Sequence, residues 1–134
     1  MKIINCQVRS IAPLTDFVYK VLLAPSKPVD FIPGQYLNFV MNEADKRPFS
    51  IASEPSASLI ELQIGAFAAD SYPMQVIDRI KENSTVTIEI PLGKAQLRTQ
   101  SVRPLLLVAG GTGFSYVKSM FEFLAKQQSS RKVI

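Results

Sequence analysis

The sequence contains no histidine, no tryptophan and a single cysteine in 134 residues. Without histidine there is no Ser-His-Asp triad, no His-activated cysteine nucleophile and no His-ligated metal site. One cysteine, Cys6, can neither close a disulfide within the chain nor hold a structural zinc, so a reducing compartment is the expected setting. Long hydrophobic runs are also missing, and none approaches the roughly 18 apolar residues that cross a bilayer. The opening stretch MKIINCQVRS lacks the apolar core of a signal peptide. These absences predict a cytoplasmic protein with no membrane partner and no bound metal. Any chemistry must use carboxylates, hydroxyls, Arg, Lys, backbone amides or a bound cofactor.

Hydrophobic residues make up 47% of the chain and charged residues 19%. That balance suits one domain with a real core and falls short of two full lobes. The net charge of +4 mildly favours anionic ligands. The basic residues are dispersed, except for Lys126, Arg131 and Lys132 near the end, and no aromatic-basic motif accompanies them. Nucleic acid is therefore not an expected partner.

The first hundred residues read as short strands between turn signals. Ile4, Cys6 and Val8 alternate with polar residues, the period of a half-buried strand, which places the Cys6 side chain inward. Phe17, Tyr19, Val21 and Leu23 repeat the pattern, and Pro33-Gly34 turns the chain into the apolar run Tyr36 to Met41. Arg47 to Ala52 predicts a fourth strand. Ile60, Leu62 and Ile64, then Val86, Ile88 and Ile90, alternate with Glu61, Gln63, Thr87 and Glu89, so each predicts a strand with one face in water. Phe17, Phe31, Phe39 and Phe49 read as core. A helix is expected between the last two strands, capped by Ser71, with Pro73 in its first turn, Met74, Ile77 and Ile80 on one face, and Asn83 as its stop. Six short strands with punctuated turns predict an antiparallel barrel or sandwich.

Past residue 100 the pattern changes. Leu105 to Ala109 is a continuous apolar run, as expected of a strand buried on both faces of a parallel sheet. Gly110-Gly111-Thr112-Gly113 follows, then Val117, Phe121 and Leu124 at helical spacing, then Val133-Ile134 as a strand start. This is the opening of a βαβ unit, and one strand with one helix cannot build a doubly wound sheet. The expectation is a mainly β plus α/β chain: residues 1–100 a barrel and 101–134 the start of an incomplete nucleotide-binding unit of a longer protein.

Three motifs could carry chemistry. Glycines at 110, 111 and 113 let the backbone approach a ligand, and the amides opening the next helix favour an anion such as a pyrophosphate. Arg47-Pro48-Phe49-Ser50 offers a cation for phosphate and a hydroxyl for a ring heteroatom. Pro33-Gly34-Gln35-Tyr36 leads a tyrosine into a strand, where it can stack on a flat ligand. Taken singly, each also has a plain reading as a turn, a strand end or a core residue.

In this order the motifs resemble the ferredoxin–NADP reductase superfamily, and within it the bacterial NAD(P)H-flavin reductases. Asp45 to Ser50, Glu61 to Ala66, Ile90 to Gly93 and Gly110 to Tyr116 carry the likeness, which runs over nearly the whole chain. The resemblance implies a six-stranded flavin-binding barrel followed by the first βα unit of a doubly wound nicotinamide-nucleotide domain. It implies hydride transfer from NADH or NADPH to riboflavin, FMN or FAD, with Ser50 at the flavin N5 as the catalytic residue. Arg47 would approach the flavin side chain and its phosphate, with Pro48 and Phe49 along the ring and Tyr36 on the ribityl side. The backbone of Ile64, Gly65 and Ala66 would meet the pyrimidine edge. Gly110, Gly111, Thr112, Gly113, Phe114 and Ser115 would lie near the nicotinamide nucleotide. The short segment Phe67-Ala68-Ala69-Asp70 resembles enzymes that treat free flavin as a substrate and release it, reduced, to a partner enzyme or to ferric iron; a monomer is expected. Relatives often carry His at the positions of Gln63 and Leu92 and an aromatic at Gln96. Two other readings stand beside this one: a superfamily member that holds FAD and passes electrons to a protein, and a basic barrel gripping single-stranded nucleic acid.

Overall fold

Apolar alternation becomes strand pairing at six places in the computed structural model, which describes residues 1–134. The strands are β1 (Lys2–Pro13), β2 (Val18–Pro25), β3 (Tyr36–Val40), β4 (Lys46–Ser50), β5 (Ile60–Gly65) and β6 (Thr85–Leu92). They form one antiparallel sheet in the order β4-β3-β6-β1-β2-β5. Helix α1 (Tyr72–Glu82) sits between β5 and β6, and helix α2 (Phe114–Lys126) follows the glycine turn.

The register explains which side chains are inside. β1 pairs Ile4 with Ile88 and Cys6 with Val86, β3 pairs Leu37 with Phe49, and β2 pairs Val21 with Leu62. These residues, apart from the half-buried Phe49 that packs against them, form the barrel core with Leu23, Phe39, Ile51, Ile60, Ile64 and Ile90, and α1 adds Val76, Ile77 and Ile80. Burying each large aliphatic or phenyl group contributes about 1.5–3 kcal/mol. Both ends of α1 are set locally: at its start the Ser71 hydroxyl accepts from the Met74 amide at 3.3 Å, and at its end the Asn83 side chain donates to the Arg79 carbonyl at 2.9 Å.

Cys6 is inside, as its alternation predicts, and burial pushes its thiol up to about 11. It is therefore expected to resist a thiol-reactive disulfide reagent at about pH 8 while the barrel is folded, and to react once denaturant opens it. Rapid labelling of the native chain would contradict that placement.

Four sequence expectations need correction. β5 does not show a polar face to water: Glu61 is buried, because Lys118 of α2 lies over it at 2.8 Å and Lys20 meets it at 3.2 Å. Glu89 of β6 is likewise buried, held by Lys46 and by the Asn38 side chain. Phe17 is not core; its half-exposed ring stacks on Phe67, with centroids 5.3 Å apart. Leu105 to Ala109 is extended but is not a strand buried on both faces: Leu106 and Val108 are 67% and 73% exposed. Its one ladder contact is a parallel bridge from Leu105 to Val133, with Leu107 N donating to Ile134 O at 2.8 Å. Helix α2 covers only one side of it, and Leu105 and Leu107 pack there beside Leu97, Met120 and Leu124.

Candidate functional site

The two outermost strands of the sheet, β4 and β5, come together without pairing along their length. Beyond them the chain crosses over, and Ala52 N donates to Glu61 O at 2.8 Å while Glu61 N donates to the Ser53 hydroxyl at 3.0 Å. Toward Ser50 and Gly65 this seam stays open. An edge strand carries backbone groups with no ladder partner, and a ligand can use them. The open seam forms a cleft of about 330 Å³. Pro48, Phe49 and Ser50 line it from β4, Gln63 and Gly65 from β5, and Tyr72 and Pro73 from the start of α1. Thr112, Gly113 and Ser115 close it from the glycine turn.

Long-range contacts hold that turn over the barrel. Ser119 of α2 is fully buried and donates to the Ser53 carbonyl at 2.7 Å; a side chain this small lets the helix approach the barrel closely. Lys126 donates to Glu54 at 2.9 Å, and Lys118 bridges Glu61 and Glu122. Burial alone would lower the Lys118 pKa, but its hydrogen bonds to Glu122 and Glu61 outweigh burial and raise it. Burial likewise opposes the charge of Glu54, and the Ser56 amide and hydroxyl with Lys126 overcome it, leaving its pKa lowered. At the far edge of the seam, the Ser115 hydroxyl reaches Gln63 Oε1 at 3.5 Å. The glycine turn itself is a short 3-10 turn, Gly111–Gly113, from which α2 continues directly.

The structure brings Pro48, Phe49, Ser50, Gly65, Thr112, Gly113 and Ser115 around one cleft, although the sequence separates them by up to 67 positions (48 to 115). Tyr36 stands beside them, paired with Ser50 across β3 and β4 and packed on Gly93. Ile64 and Ala66 point into the core, and the Ala66 amide already donates to the Phe17 carbonyl at 2.7 Å. Gly110 and Gly111 face open space. Phe114 faces away from the cleft, into an apolar groove with Leu107, Val117 and Phe121.

Arg47 does not line the cleft. It is buried, donating Nε and Nη2 to the Asp45 carboxylate at 2.9 and 2.6 Å and Nη1 to the Tyr72 carbonyl at 2.8 Å. Its guanidinium also lies 4.2 Å over the Tyr72 ring. The hydrogen bond from Arg47 holds the Asp45 pKa below its ordinary value. Arg47 thus ties β4 to the start of α1 and fixes the Tyr72 wall. Gln63, Tyr72 and Pro73 are the lining residues that sequence reasoning did not place in the site. Gln63 carried a signal, as a polar residue alternating outward beside Gly65, whereas Tyr72 and Pro73 read as an ordinary helix start.

A planar heteroaromatic ring suits this cleft. Gly65 lets Thr112 and Phe67 come close to β5, since a Cβ there would stand 3.1 Å from Thr112 Cγ2 and 3.4 Å from the Phe67 ring, and any larger residue would crowd this margin of the cleft. Ser50 and Gln63 supply polar atoms at its margin, and Phe49 and Pro48 supply apolar surface.

Solved structures share this architecture. The ferredoxin reductase in carbazole 1,9a-dioxygenase superposes with a TM-score of 0.83 at 20% identity, covering 98% of this chain and 41% of that one. Phthalate dioxygenase reductase matches with a TM-score of 0.78 at 17% identity, again over 98% of this chain and 41% of that one. The chain therefore shares the fold of these two reductases over the stretch that they match. Sequence comparison narrows this further. The NAD(P)H-flavin reductases of Aliivibrio fischeri and Vibrio harveyi are 45% and 43% identical over 97% of this chain. A probable flavin reductase of Photobacterium leiognathi is 36% identical over 98%. Over nearly its whole length the chain is similar to proteins named NAD(P)H-flavin reductase, the likeness its motifs imply. It spans 57–58% of the length of these three proteins. No family model matches the chain. No helix is long and apolar enough to cross a membrane.

Proposed function

We propose that this chain supplies the flavin site of an NAD(P)H:flavin oxidoreductase, with residues 1–100 as the flavin barrel and 101–134 as the start of the nicotinamide unit. The observation that carries this reading is the cleft itself: Ser50 of β4 and the Thr112–Ser115 turn line one opening, so two flat rings can meet there. The cofactors bring the redox chemistry, a hydride donor carbon on the nicotinamide and an acceptor nitrogen on the flavin. The chain's own residues bind and orient. Ser50 would offer its hydroxyl to the accepting nitrogen. Phe49 and Pro48 provide apolar surface along the ring, Gly65 gives its edge access to β5, and Tyr36 flanks the side chain. The glycine turn, held down by Ser119 and Lys118, would hold the nicotinamide end of the second cofactor over the same cleft. No proton has to be moved by a histidine.

Residues 66–71 alone join β5 to α1, leaving little chain to wrap an adenine. This favours free flavin as substrate, released in reduced form to a flavin-dependent enzyme or to ferric iron. Arg47 acts here by holding Tyr72 against β4, and its engagement with Asp45 and Tyr72 leaves the flavin phosphate to solvent.

Ser50→Ala tests the assignment in the catalytically complete protein. A lost hydrogen bond at the reacting nitrogen is expected to slow hydride transfer about tenfold or more while riboflavin affinity changes severalfold at most. Stopped-flow absorbance separates the two. A loss in affinity with an unchanged transfer rate would contradict the role given to Ser50.

A further inference from the structure

The segment leaving the barrel carries Arg98 and Arg103, and Arg131 returns to it from beyond α2. Arg131 donates Nε to the Arg103 carbonyl at 2.6 Å and Nη1 to the Arg98 carbonyl at 3.1 Å. The Ser101 amide donates to the Arg98 carbonyl at 3.1 Å, and the Ser101 hydroxyl accepts from the Arg103 amide at 3.3 Å. One guanidinium thus pins the turn that presents the other two. These arginines line a cleft of about 310 Å³ that shares no residue with the one at Ser50.

The electrostatics of this cleft are one-sided. Its lining includes three arginines and no carboxylate. The chain's ion pairs use Lys20, Lys46, Arg47, Lys118 and Lys126, and none of the three. Holding like charges together raises their energy, and a bound oxyanion reverses that term. Guanidinium forks match phosphate oxygens in geometry as well as charge. Arg98 and Arg103 are exposed and free to close on a ligand, while Arg131 is fixed by its carbonyl partners.

We propose that this cleft is a second ligand site, independent of the flavin reading, and that it binds a diphosphate group. Three guanidiniums exceed what a single phosphate balances, which favours a diphosphate over a monophosphate. The group could arrive as inorganic pyrophosphate or as a nucleoside diphosphate, so both serve as probes.

The test is calorimetric titration of the chain with inorganic pyrophosphate and with ADP. Saturable one-site binding is expected, weakening as salt rises. The double substitution Arg98→Gln and Arg103→Gln is expected to weaken it about tenfold or more, as loss of charge-assisted hydrogen bonds requires. Arg131 stays in place to keep the turn, and circular dichroism checks the fold; Arg103→Gln alone serves if the double variant unfolds. Lys2→Gln with Lys27→Gln removes the same charge elsewhere and is expected to change affinity less than twofold. Tighter ADP than pyrophosphate identifies a nucleoside diphosphate ligand, and the reverse order identifies the inorganic ion; both support the site. Absence of saturable binding by either probe, or equal weakening in the lysine control, would overturn it.

Discussion

Replacing Gly65 by Val is expected to weaken riboflavin binding by about tenfold or more while the barrel stays folded. The backbone at Gly65 lies outside the left-handed region, so valine brings no backbone strain there, and valine suits a strand. What changes is the cleft. A Cβ would already stand 3.1 Å from Thr112 Cγ2, and the two methyl groups beyond it would fill the space between β5 and the glycine turn. Forcing atoms into a fitted site typically costs about 1–3 kcal/mol, which spans about 5- to 150-fold in affinity. Fluorescence titration and thermal melting of the same variant separate binding from folding. Unchanged affinity in a folded variant would place the ring somewhere other than between Gly65 and Ser50.

Gly34→Ala is expected to damage folding instead. Gly34 has φ +103°, a conformation that residues with a side chain rarely adopt. A Cβ would stand 2.1 Å from the Ala95 carbonyl oxygen and 2.5 Å from Met120 Cε. The methionine can move, but the carbonyl belongs to the backbone of a neighbouring loop. Strain and clash together are expected to cost about 3 kcal/mol or more, a large share of the roughly 5–15 kcal/mol that holds a domain together. The melting temperature should fall by roughly 10 °C. Gly110→Ala is the matched control, because nothing lies within 4 Å of its Cβ position and its φ is −135°. Equal melting of the two variants would contradict the packing of the Pro33-Gly34 turn against Ala95 and α2.

Much of the barrel was legible because alternation is a local signal. Ile60, Leu62 and Ile64 must face one way whatever lies beyond them, and the Ser71 cap and Asn83 stop sit within a few residues of the helix they bound. What could not be read was the partner on the other face. Glu61 and Glu89 looked solvated because carboxylates normally are; Lys118 and Lys20, 57 and 41 positions away from Glu61, bury the first, and Lys46 and Asn38 the second. Arg47 was recognisable as a cation of the site motif, but its engagement with Asp45 and the Tyr72 carbonyl depends on how α1 returns to β4. The run Leu105 to Ala109 signalled burial by composition, whereas burial depends on the layers that cover it.

The cleft assembled from β4, β5 and the glycine turn followed the motif order closely, since Ser50, Gly65 and Gly113 converge on it. Tyr72 and Pro73 escaped notice for a physical reason: a helix start carries the same residues whether or not its outer surface forms a wall.

Amide shift mapping during a riboflavin titration tests the central claim most directly. The account predicts saturable shifts centred on Ser50, Gln63, Gly65 and Thr112, fading along β1 and at the Arg98–Arg103 turn. Shifts that saturate elsewhere, or no saturable shift in the folded chain, would contradict a flavin site in the open seam between β4 and β5.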